Sequence, residues 1–155
     1  MNEYPQLLAD AVEAVLPGWL VGCVLNTARR CGYPHSDQLL AAAQQMAHSA
    51  APVVLRELNE LLATDVDAQR SNPLSVLRSA VRYPTDVLRA AGVQPPHRGD
   101  FSLRSFPDDI YDLSPAAWGD IDESLQEPGL IWGAWKAKTV LDRRHQRDAT
   151  PNHGE

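Results

Sequence analysis

Apolar residues recur along this chain at the three- and four-residue spacing of one helix face, and each run stops at a proline, a glycine or a capping side chain. That pattern restricts the fold more than any other feature, because a period of about 3.6 residues buries a continuous stripe only in a helix. Leu7, Leu8, Ala11, Val12 and Val15 form the first stripe, and Pro17-Gly18 is expected to end it after Leu16. A second, more apolar helix is expected over Trp19 to Arg30. Ser36 then offers its hydroxyl to first-turn amides ahead of the Ala/Leu-rich run Leu39 to Ala51. Pro52 is expected to kink the chain or start a new helix, since its ring removes one backbone bond, and Leu55, Leu58, Leu61 and Leu62 continue the stripe.

Asn72-Pro73 pairs a cap with a first-turn proline ahead of Leu74, Leu77 and Val81. Pro84 opens a short helix, Thr85 to Ala91, and Gly92 supplies the left-handed residue that ends it. Gln94-Pro95-Pro96-His97-Arg98-Gly99 cannot keep helical hydrogen bonds and reads as an ordered loop. Ser114-Pro115 is expected to cap a short helix through Trp118, and Leu130 to Arg144 to form the last helix, with residues 146–155 a disordered tail. No alternating β-branched run and no fixed-period repeat occurs. The expected fold is all-α: a compact bundle of about five to seven helices, one domain over residues 1–145, with a Pro-rich, acidic segment at 94–129 wrapped on it.

A chain of 155 residues can bury about two-thirds of its unfolded surface, so a core needs no staples. Cys23 and Cys31 match no disulfide framework and are expected to be reduced, buried thiols. The apolar runs Leu16 to Leu25 and Ala50 to Leu55 are shorter than the ~20 residues of a membrane helix, and no leader pattern opens the chain. A cytoplasmic protein without a membrane span is therefore expected. The net charge of -6 disfavours phosphate backbones. Its distribution is uneven: residues 64–99 carry five arginines and three aspartates, whereas residues 100–131 carry eight acids and Arg104 alone. The two blocks are expected to pair across the fold.

Chemistry is sparse. Asp108-Asp109-Ile110-Tyr111-Asp112 spells DDxxD, which holds magnesium in prenyl-diphosphate enzymes, so Asp108, Asp109 and Asp112 are metal candidates. Flanking prolines argue against the continuous helix that motif needs. Gly119 to Ser124 fails as a calcium loop, because Leu125 and Ile131 fall where glycine and a bidentate glutamate belong. No histidine lies three or four residues from another histidine, and only His97 with Asp100 makes a notable pair. There is neither a G-x-S-x-G elbow nor a Gly-rich phosphate cradle, and no cofactor is expected. Thr85 to Val93 has the alanine and glycine of a helix-turn-helix, with Arg78, Arg82, Arg89 and Arg98 as phosphate or base contacts, but two prolines open the would-be recognition helix. Trp118, Trp132 and Trp135, together with Tyr111, are either core or anchors for a partner.

Over residues 72–141, Arg82-Tyr83-Pro84-Thr85, Ala91-Gly92-Val93, Phe106-Pro107-Asp108-Asp109, Glu127-Pro128-Gly129-Leu130 and Trp132-Gly133-Ala134 resemble a family of small actinobacterial proteins of unassigned function. The twenty alanines, twelve arginines and two lysines suit a GC-rich genome. The resemblance implies a cytoplasmic helical protein and carries no catalytic residue. The leading expectation is a noncatalytic interaction or regulatory module with a protein partner or a second copy. A DNA-binding regulator and a metal-dependent enzyme built on the acidic 108–122 segment are the alternatives.

Overall fold

The structure, a computed structural model, describes residues 3–63, 72–95 and 109–149. Two long rods come first: α1 (Glu3–Arg30) has 28 residues and α2 (Asp37–Ala63) has 27. Gly32, at φ 77°, turns the chain between them, and Tyr33 N–H donates to the Ala28 carbonyl over 2.8 Å. The Ser36 hydroxyl accepts from Leu39 N–H at 3.0 Å, the cap expected there. α2 then doubles back along α1.

Pro17 lies inside α1 and Pro52 inside α2, and neither ends its helix. The physical reason is the side on which they fall. Pro17, Pro52 and the residues four before them, Glu13 and His48, are all exposed, so water can meet the two carbonyls that lose an N–H partner. Beneath them Leu8, Val12, Leu16, Leu20 and Val24 are each 0% exposed, at four-residue steps. An interior proline costs about 3 kcal/mol, whereas burying each such side chain gains about 1.5 to 3 kcal/mol, so the stripe prevails.

α3 (Leu74–Ala80) and α4 (Arg82–Ala90) meet at Val81, which stays helical at φ -65° and ψ -12°, so the two make one bent rod. The Asn72 carboxamide caps it, accepting from Leu74 N–H at 3.0 Å, and Gly92 ends it at φ 78°. α5 (Gln126–Ala149) closes the fold. The described residues thus hold no strand and four helical rods, fewer than the five to seven expected, because the breaks foreseen at Pro17 and Pro52 do not occur. Three further boundaries differ. α4 starts at Arg82, ahead of the Pro84 expected to open it, because a proline fits the first turn of a helix. Ser114-Pro115 opens no helix, and Trp118–Asp120 and Glu123–Leu125 are single 3-10 turns. α5 starts before Pro128 and runs on to Ala149, so helix covers residues 146–149 of the expected tail. Pro128 is tolerated because first-turn amides have no helical partner to lose.

Without a break at Pro17, the length argument against a membrane span no longer holds for α1. Tyr4–Arg30 is long and apolar enough to cross a bilayer by length and composition, with a mean hydropathy of 1.6 in its most apolar window. One-third of that window is buried within the bundle, as 33%. The principal core joins α1 and α2 to Leu74, Leu77, Ile121, Leu125 and Trp132, and a smaller cluster around Val24, Leu39, Leu88 and Val93 is sealed by Tyr111.

Candidate interaction surface

The polar residues singled out by sequence hold the segment after Asp109 onto the bundle. The Asp109 carboxylate is buried and accepts from Leu113 N–H at 2.8 Å and Ser114 N–H at 2.7 Å. Asp120 accepts from the amides of Ala116 and Ala117, each at 2.9 Å. Asp122 accepts from the Ser124 hydroxyl and amide, which hold its carboxyl below the usual carboxylate range. Arg78 reaches the same segment through carbonyls, donating to Pro115 O at 2.9 Å and Ala116 O at 3.1 Å. Arg78 of the basic block therefore meets the acidic block at main-chain carbonyls, and Asp109, Asp120 and Asp122 each cap a turn of that segment.

DDxxD does not form the helical metal motif. Asp109 to Tyr111 is a turn, Asp112 sits in the left-handed region at φ 62°, and Asp108 lies outside the described residues. Among the described residues no group of three metal-ligating side chains converges. His97, Arg98, Asp100 and Phe106 also lie outside the described residues.

Tyr111 corrects the idea of an exposed anchor. It is 1% exposed, its hydroxyl donates to Val93 O at 2.6 Å, and its carbonyl accepts from Arg30 at 2.9 Å. Burial raises the pKa of that hydroxyl, with Arg89 acting the other way. Trp132 is likewise core, 7% exposed, with Lys136 Nζ 5.1 Å over its ring. Trp118 and Trp135 are half-buried against the main core, and Trp135 meets Tyr4 of α1 at 6.2 Å between ring centroids. Gly129 lets Trp118 in, because a Cβ there would come within 2.3 Å of the indole. A Cβ on Gly133 would meet nothing within 4 Å, so no helix among the described residues packs closely there.

Of the arginines considered for DNA, Arg82 pairs with Glu57 at 3.5 Å and caps Ser79 O at 3.0 Å, and Arg78 holds the carbonyls above. Arg89 is exposed near Tyr111. After Gly92 the described residues Val93–Pro95 are not helical, so they start no recognition helix. Cys23 and Cys31 are unpaired thiols, both half-buried rather than fully buried. Burial, and then the Asp109 charge, push the Cys23 thiol up to about 12, far from nucleophilic use.

What the sequence passed over is the outer side of α1. Two residues on from the buried stripe run Asp10, Ala14, Gly18, Gly22, Asn26 and Arg30, again at four-residue steps, all exposed except half-buried Gly22. An opening of about 520 Å³ lies on one side of this ridge, walled by Val15, Trp19, Cys23 and Ile121. An opening of about 640 Å³ lies on the other, walled by Pro17, Val21, Ala47, Ala51, Pro52 and Leu55. Gly18 belongs to both. The signal that could have revealed this face is that the middle of α1, Ala14 to Leu25, carries no polar side chain on any side, a property of helices covered all round.

Searches against family models, curated proteins and solved structures find no match for this chain.

Proposed function

We propose that the chain is a noncatalytic interaction module acting in the cytoplasm, with the outer face of α1 and its two flanking grooves as the docking surface. The observation that carries this reading is a contrast in how residues are used. Asp109, Asp120, Tyr111 and Arg78 spend their polar groups on the chain's own backbone. By contrast, the apolar ridge around Gly18 has open space above it. Contiguous apolar surface on a soluble domain marks a place of contact. A place among the small actinobacterial proteins that residues 72–141 resemble belongs to the same reading.

A photo-cross-linking residue tests it. Placed at exposed Ala14 in cells making the full chain, it should give a protein adduct, and placed at exposed Glu123 it should give none. Adducts from Glu123 with none from Ala14 would move the surface to the acidic segment.

A further inference from the structure

Resting on that reading, we infer that the occupant of the α1 face is a second copy of this chain, crossing antiparallel about a two-fold axis midway between Gly18 and Gly22.

The glycines motivate this. A mid-helix glycine destabilises a helix relative to alanine, so two of them one turn apart call for a reason. Packing among the described residues supplies none. A Cβ on Gly18 would meet nothing within 4 Å, and one on Gly22 would meet only the Asn26 amide at an ordinary 3.6 Å. Missing side chains let another backbone come close, as they do where membrane helices cross at small residues.

The ridge is also complementary to itself. A two-fold axis between Gly18 and Gly22 sets each Gly18 against Gly22 of the other copy, Ala14 against Asn26, and Asp10 against Arg30. Acid therefore meets base at both ends of the ridge, and Asp10, which accepts from Gln6 at 2.7 Å through one oxygen, has its second oxygen for the Arg30 of the other copy. Arg30 uses one nitrogen on Tyr111 O, and the exposed guanidinium keeps further donors. Next to Ala14, the Glu13 carbonyl has lost its helical donor to Pro17, and the Asn26 carboxamide of a second copy would arrive beside it carrying two N–H groups.

A bilayer fits the face less well. Glu13 rims one groove, and Asp120 and Asp122 line the other, so anionic headgroups are repelled and insertion would strip water from carboxylates. The axis also keeps α1 in its bundle, whereas insertion would pull Leu8, Leu16 and Leu20 out of the core.

The test is sedimentation velocity of the full chain over a concentration series, with Gly18→Leu as the variant and phosphatidylcholine vesicles as a parallel arm. The wild type should rise from its 17.1 kDa monomer mass toward twice that value. Gly18→Leu should weaken association at least about tenfold, the size of one lost interface anchor, while its melting temperature stays level or rises. Asp10→Arg should weaken association with no change in helicity. A wild type that stays monomeric, a Gly18→Leu variant that associates unchanged, or pelleting with vesicles without dimer formation would each overturn the proposal. A monomeric chain that still gives an Ala14 adduct with another protein would sink self-association and leave the interaction reading standing. A monomeric chain without an adduct would sink both.

Discussion

The α1–α2 pair and the segment from Asp109 to Leu125 are held by opposite means. The pair is joined by side chains alone, with Leu8, Val12, Leu16 and Leu20 lying against Ala47, Ala50, Val54 and Leu58. It tolerates two interior prolines because nothing on its inner face depends on the missing amides. The segment has little regular structure of its own, only two 3-10 turns. It is fastened by carboxylates on amides, Arg78 on carbonyls, and single anchors at Tyr111, Ile121 and Leu125. The lesson is that the acids here make a loop into a fixed wall, while apolar surface left over on the rods is what remains for a partner.

The largest effects should come from the rods. Leu58→Ala and Leu77→Ala each truncate a side chain that is 0% exposed and should each cost about 2 to 5 kcal/mol in chemical denaturation. If both variants unfold at the parent's midpoint, the inner faces are misassigned. Gly129→Ala comes next. Its new Cβ would intrude on Trp118, so a loss of about 1 to 3 kcal/mol is expected, with a change in tryptophan fluorescence. Tyr111→Phe should cost about 1 to 2 kcal/mol, since it leaves the Val93 carbonyl without its donor.

These sites also show what could be read in advance. The caps at Ser36, Asn72 and Gly92 were legible because the bond or backbone angle that defines each involves residues within three of it. Pro17 and Pro52 misled because local propensity was overridden by burial on the opposite side of the helix, which no nearby residue reveals. Tyr111 and Arg78 misled for a different reason: their partners, Val93 O and Pro115 O, lie 18 and 37 residues away. The outer ridge of α1 was hidden by the expected break at Pro17, which divided one face between two helices.

A smaller effect should appear in alkali. Cys23 and Tyr111 both have folded-state pKa values raised by burial, so their contribution is fully present below the unfolded values and is lost as pH rises through the folded ones. For Cys23 the window runs from 9.0 to about 12. Unfolding midpoints should be level through neutral pH and fall across that window, and Cys23→Ala should make the fall shallower. A decline of equal slope in Cys23→Ala would show that the thiol is not the group being titrated.

The contrast between fastened segment and open ridge is tested most directly by native-state hydrogen exchange on Asp109→Ala, read beside the Ala14 cross-link. The amides of Leu113 and Ser114 lose their acceptor in that variant. They and their neighbours in residues 110–117 should exchange faster, while the amides of α1 from Val12 to Val24 keep parental protection and the Ala14 adduct persists. Unchanged exchange at Leu113 and Ser114, with the Ala14 adduct lost, would contradict the account and place the docking surface at the acidic segment.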